Sequence, residues 1–130
     1  MMLIEETGIE LWTRVLDTAE PRLEVLFRGE GRLDGIAFTS CWNTEVVPGP
    51  GATQRGVARG MLMLATGEFA TWDEEGDCWT EPSGLVVAAG SVRFTQHGTG
   101  PLEQLLGRSG SFRFEQDADL RYRQTITLDG

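Results

Sequence analysis

Polar and apolar residues alternate along most of this chain, in short runs broken by glycine or proline. From Ile36 to Val46 the even positions give Ile36, Phe38, Trp42 and Val46, while the odd ones include Thr39, Asn43 and Glu45. A period of two marks a strand with one buried and one wet face. The final run repeats it, with Arg121, Arg123, Thr125 and Thr127 alternating with Tyr122, Gln124, Ile126 and Leu128. Glycine and proline leave little room for helices. One stretch free of both, Ile9–Glu20, carries Ile9, Trp12, Thr13 and Val15, residue types that favour strands. The pattern predicts strands over Ile9–Asp17, Arg22–Arg28, Gly35–Val46, Gly56–Ala65, Glu68–Asp73, Leu85–Gln96, Ser111–Glu115 and Leu120–Leu128. Closely spaced strands in that number close an antiparallel sheet into a barrel, with a two-sheet lipocalin-like or sandwich packing as the alternative. Leu33-Asp34-Gly35 and Ala65-Thr66-Gly67 suit tight turns, Pro48-Gly49-Pro50-Gly51 a longer loop, and Pro101–Leu106 a single helical turn.

Two runs break the alternation. Met61–Ala65 and Leu85–Ala89 are apolar at every position, so such strands need cover on both faces. A subunit interface supplies that cover, which predicts a homodimer or larger homo-oligomer; the chain's own termini are the other possible cover.

Composition narrows the classes. The 130 residues fit one β-barrel domain spanning 1–130, and 40% hydrophobic content suffices for a core. A net charge of −9 argues against nucleic acid or anionic membrane as a partner, since both repel such a field. No apolar run approaches the roughly 18 residues of a membrane-spanning helix, so membrane insertion is not expected. Met1–Glu10 lacks the basic start and long apolar stretch of a signal peptide, and Cys41 and Cys78 read as free thiols, with one disulfide as the alternative; together they predict a cytoplasmic location.

One stretch carries a resemblance. Gly60-Met61-Leu62-Met63-Leu64-Ala65-Thr66-Gly67-Glu68-Phe69-Ala70-Thr71-Trp72 resembles a segment of the allene oxide cyclase-like barrels. There a strand turns through a Thr/Asp-Gly-Glu corner into a second strand ending in Ala-Thr-Trp. Gly90–Thr95, Leu102–Leu106 and Gly110-Ser111-Phe112-Arg113-Phe114-Glu115 are similar to the closing hairpins of that superfamily, and Gly29–Gly35 to an earlier hairpin. The likeness spans roughly Gly29–Glu115, with departures at Ala58 and Leu64. It implies an eight-stranded antiparallel calycin-like barrel around an apolar cavity. Members include cyclases, isomerases and binding proteins. The implied activity is therefore a cofactor-independent cyclase or isomerase for an unsaturated, polyketide- or lipid-derived molecule. Carriage of a hydrophobic ligand without chemistry, or a filled barrel used only in assembly, are the alternatives.

The candidate chemistry is sparse. His97 is the sole histidine and sits in a glycine-bounded loop, and the cysteines lie far apart, so neither a zinc set nor a triad is spelled. No phosphate-binding loop precedes a helix, and no cofactor is expected. Aromatic and carboxylate residues on strands remain. Trp42 shares a face with Phe38, and Trp72 shares one with Glu68. If those faces point inward, Phe38, Trp42 and Trp72 hold the ligand and Glu68 orients a polar group. Otherwise the tryptophans are core and Glu68 closes its corner. Arg59, Arg93 and Tyr122 are the other polar strand residues that could project inward. A buried Arg93–Glu68 or Arg59–Glu68 pair would fix a carbonyl or carboxylate; outward-facing arginines would not. The expected site is thus Glu68, Arg93 and Tyr122 for catalysis and Phe38, Trp42, Arg59 and Trp72 for binding. Asp73-Glu74-Glu75 reads as a solvated charged turn.

Overall fold

The computed structural model describes residues 2–49 and 51–129. Eight antiparallel strands follow one another in chain order around a closed barrel: β1 (Met2–Asp17), β2 (Arg22–Leu33), β3 (Ile36–Pro48), β4 (Gln54–Met63), β5 (Phe69–Thr80), β6 (Val86–Phe94), β7 (Arg108–Gln116) and β8 (Arg121–Leu128). Closure comes from β1 pairing with β8, Met2 opposite Leu128 through Ile9 opposite Arg121. With no free edge, every strand has ladder partners on both sides.

Alternation decides what points inward. Phe38, Trp42 and Val46 of β3 and Tyr122, Gln124, Ile126 and Leu128 of β8 are buried, as the period of two predicts. The β2–β3 turn uses left-handed backbone at Asp34 (φ 47°) and Gly35 (φ 79°), the pair a tight hairpin of this twist demands. A 3-10 helix at Gly100–Leu105 follows β6 and seals one end of the barrel with Leu102 and Leu105, both fully buried beside Leu33, Phe94 and Leu128. Pro101 lies in its first turn, and the helix runs one residue earlier at each end than the expected Pro101–Leu106. Pro50 of the predicted Pro48–Gly51 loop and Met1 of the N-terminal segment lie outside the described residues.

Three expectations need correction. The first strand begins at Met2 rather than Ile9, with Met2, Ile4 and Glu6 buried inside the barrel. β5 continues to Thr80, because the acidic run alternates: Glu74 points in, while Asp73, Glu75 and Asp77 stay on the outside. Arg55 of β4 meets Glu75 at 3.5 Å and Asp77 at 3.3 Å, which steadies the outer acids. In the Leu85–Ala89 run, outward-facing Val87 is wholly buried within the chain itself. Of the two apolar runs, the one on β4 leaves its outer face open, with Met61 and Met63 each 37% exposed, and β1 likewise exposes Ile9, Leu11, Trp12 and Val15.

Candidate functional site

The interior is filled at one end and hollow at the other, and side-chain size explains the difference. Toward the helix-capped end Leu33, Phe38, Leu62, Trp72 and Phe94 pack the barrel. Toward the other end the inner positions of β4, β5 and β6 shrink to Gly56, Ala58, Gly76 and Ala88. Phe27, Trp42, Phe112 and Phe114 line the same space from β2, β3 and β7. Such small side chains fill too little of the barrel, and a cavity of about 230 Å³ results. It opens at an end where Thr13 and Gln54 are exposed, and Gln116 Nε2 donates to Glu10 Oε1 at 3.1 Å across the rim.

Aromatic contacts make the cavity wall rigid. Phe27 stacks on Trp42 with centroids 4.1 Å apart and an 18° interplanar angle. Phe114 meets Phe27 edge-on at 5.3 Å, and Tyr122 meets Trp42 edge-on at 5.5 Å. Gly60, between Trp42 and Trp72, is required: a Cβ there would collide with the Trp72 indole and with the Trp42 β-carbon.

A buried polar chain lies behind this wall. Trp42 Nε1 donates to the Tyr122 hydroxyl at 3.0 Å, and Tyr122 donates to Glu6 Oε2 at 3.4 Å. Ser40 Oγ also donates to Glu6 Oε2, and Gln124 Nε2 donates to Glu6 Oε1 at 2.7 Å. Burial raises the Glu6 carboxyl above its ordinary value, although those donors pull it back. Tyr122 is pushed up by burial and then by the neighbouring Glu6. Gly29 makes room for the chain, since a Cβ there would sit against the Tyr122 hydroxyl and 2.9 Å from both Glu6 Oε2 and Ser40 Oγ.

Glu74 is the acid of the cavity itself. It is 4% exposed, lines the hollow, and its Oε1 has no hydrogen-bond partner. Its cross-strand neighbours Ala58 and Val92 offer no polar group. Burial holds its carboxyl well above the usual carboxylate range; the charge of Glu6 adds to this, and the Trp72 indole relieves it slightly. Gln124 Oε1 is the second buried oxygen on the lining without a partner. Cys78 completes the polar lining, its thiol pushed up by burial.

The predicted site residues do not assemble as one unit. Trp42 lines the cavity. Phe38 and Trp72 are buried in the filled half, where Trp72 packs on Phe94 with centroids 6.1 Å apart. Tyr122 lies inside but is engaged with Trp42 and Glu6. Glu68 sits half-buried in the β4–β5 turn, where the Thr66 hydroxyl bonds its carboxylate and lowers its pKa. Arg59 and Arg93 are exposed on the outer face, and neither pairs with Glu68 among the described residues. Arg59 instead helps to lower the Glu24 carboxyl, which is bonded first by Asn43 at 2.7 Å and also by Arg14 at 2.8 Å. Sequence reasoning missed Glu74, Gln124 and Glu6. The available signal was the two-residue spacing of Trp72, Glu74, Gly76 and Cys78, which puts all four on one face.

The architecture and its half-empty interior define the class: a closed, eight-stranded antiparallel barrel with an internal cavity. Solved structures share this fold. A protein of unknown function from Clostridium acetobutylicum aligns with TM-score 0.76 at 8% identity, over 99% of this chain and 97% of that one. A conserved protein of unknown function from Rhodopseudomonas palustris aligns with TM-score 0.69 at 12% identity, over 98% and 92%. Such identities show a common fold and carry no activity across. No family model and no curated protein matches the chain.

Proposed function

We propose that the barrel takes a small, unsaturated, largely apolar molecule into its open half and converts it without a cofactor, as an isomerase or cyclase. The supporting observation is Glu74, a buried carboxyl with a free oxygen on the wall of an otherwise mostly apolar hollow. Burial shifts this carboxyl toward its protonated form, the form an acid catalyst needs. Glu74 gives its proton to one position of an unsaturated system, and the resulting carboxylate takes a proton from another position. The acid is regenerated and the substrate is isomerised, with no oxidant or reductant consumed. A ring closure follows the same balance when the carboxyl only hydrogen-bonds the developing charge. The eight-stranded closure supports the likeness to the allene oxide cyclase-like barrels at the level of architecture.

Cavity size limits the substrate. A dry cavity of roughly 150 Å³ takes up benzene, so about 230 Å³ holds about nine non-hydrogen atoms. A longer lipid- or polyketide-derived chain would protrude through the mouth. The test is a one-ring β,γ-unsaturated ketone, with the appearance of its conjugated isomer read by ultraviolet absorbance. Wild type should accelerate the conversion and Glu74→Gln should not.

A carrier role is the second reading, favoured because Glu74 lacks an obvious catalytic partner at the cavity centre. Binding of the ketone without conversion would select it. Absence of any binding would leave the barrel as an assembly unit. The two free cysteines fit a reducing cytoplasm, and the open apolar face of β4 fits a homo-oligomer; both belong to the same proposal. No helix among the described residues is long and apolar enough to cross a membrane.

A further inference from the structure

Polar atoms on the cavity wall specify what the ligand must offer. Gln124 is fully buried, and its Nε2 is committed to Glu6 Oε1 at 2.7 Å. That bond turns Oε1 out as the unpartnered atom, and an amide oxygen only accepts. The ligand must therefore supply an O–H or N–H donor at this point. At Glu74 the requirement is reversed. A carboxylic acid in a mostly apolar wall donates its proton, and a ligand carbonyl oxygen is the natural acceptor. An anionic ligand meets no charged partner, since neither Arg59 nor Arg93 lines the cavity. The charge of Glu6 opposes it further.

Resting on the reading that this cavity binds a small molecule, we infer that its ligands are neutral one-ring hydroxy-carbonyl compounds, the carbonyl oxygen on Glu74 and the hydroxyl on Gln124. The ring is fixed by the aromatic lining of Phe27, Trp42 and Phe114, which offers flat surface to a conjugated molecule. Size agrees, because a benzene ring with one acyl and one hydroxyl substituent has about the nine to ten non-hydrogen atoms the volume accepts. Both unpartnered oxygens are then satisfied by one ligand. A purely apolar ligand would leave them buried and bare, a state that costs binding free energy.

The experiment is calorimetric titration of the whole chain at pH 7 with meta- and para-hydroxyacetophenone. Acetophenone, ethylbenzene and para-hydroxybenzoate are the comparison ligands. At least one hydroxyacetophenone should bind tenfold or more tightly than acetophenone, acetophenone more tightly than ethylbenzene, and the benzoate should bind weakest. Glu74→Gln keeps a neutral donor and should retain hydroxyacetophenone affinity within about threefold. Glu74→Leu removes the donor and should lose tenfold or more while still binding ethylbenzene, which also shows that the variant is folded. Equal affinities across the neutral series, or preferred binding of the benzoate, would overturn the inference and leave the apolar-cavity reading intact. Failure of every ligand, ethylbenzene included, would overturn both.

Discussion

At the residue scale, buried and paired carboxyls should move stability with pH in opposite directions. Glu74 is raised by burial above an ordinary value of 4.5, so above that pH the unfolded chain holds fewer protons at this position than the folded one. Stability therefore falls as pH rises from about 4.5 toward the raised value. Glu74→Gln removes this penalty. Its melting temperature should exceed that of wild type at pH 8, and the gap should close near pH 4.5. Glu24 behaves oppositely, because Asn43 and Arg14 hold its carboxyl below the ordinary value. Its contribution is present above pH 4.5 and lost as acid protonates it, so Glu24→Gln should destabilise at pH 7 and match wild type in acid. Thermal scans from pH 3 to pH 8 on the variants read both signs; parallel curves would refute the assignments. Trp72 supplies a control of another kind. It is 3% exposed in the filled half, so Trp72→Ala should cost about 3–5 kcal/mol of stability by leaving a void. Trp42→Phe, by contrast, changes a side chain on the cavity wall and should weaken ligand affinity.

Individual strands differ in how openly their sequences declare their place. β3 and β8 were legible because each keeps one apolar and one polar face, and a period of two needs no knowledge of the neighbours. β5 was not, since an acidic triplet reads as a turn until its alternation is taken over the longer span from Ala70 to Cys78. Glu74 escaped with it, because a buried carboxylic acid breaks the ordinary link between charge and solvent. β1 hid in the same way: Glu6 stands on the inner face with Met2 and Ile4, while apolar Leu3 and Ile9 are exposed. The cavity was less legible still. It depends on Gly56, Ala58, Gly76 and Ala88 coming together from β4, β5 and β6, a register that pairs Gly56 with Gly76 and Cys78 with Ala88. Outward arginines posed a simpler ambiguity, as a lone charge in a strand does not reveal its face. The small-residue wall yields its own prediction. Ala88→Leu places side-chain volume in the hollow without displacing backbone, so it should reduce affinity for ethylbenzene tenfold or more and leave the melting temperature equal or higher. A large loss of stability would mean that the space beside Ala88 is already occupied by packed side chains.

For the whole molecule, the balance between exposed apolar surface and a large negative charge decides whether copies associate. Apolar side chains stand exposed at Ile9, Leu11, Trp12 and Val15 of β1 and at Val57, Met61 and Met63 of β4, the last two beside Cys41 on the neighbouring strand and drawn from the all-apolar run. Burying such surface against a second copy is favourable by roughly 25 cal/mol per Å² of apolar area. Opposing it, each copy carries a net charge of −9, and two such bodies repel at contact. The repulsion is screened over a Debye length of about 10 Å at 0.1 M salt, and the apolar contact is not. Association should therefore strengthen with salt. Light scattering coupled to size exclusion should show a homodimer or larger assembly at micromolar concentration in 0.3 M salt, shifting toward monomer at 0.02 M. The double variant Met61→Glu with Met63→Glu adds charge where the apolar surface was, and it should remain monomeric at both salts with an unchanged circular dichroism spectrum. A wild-type monomer at high salt would show that the methionine stripe tolerates water without a partner. An assembly unaffected by the two glutamates would place the interface elsewhere on the barrel, away from β4.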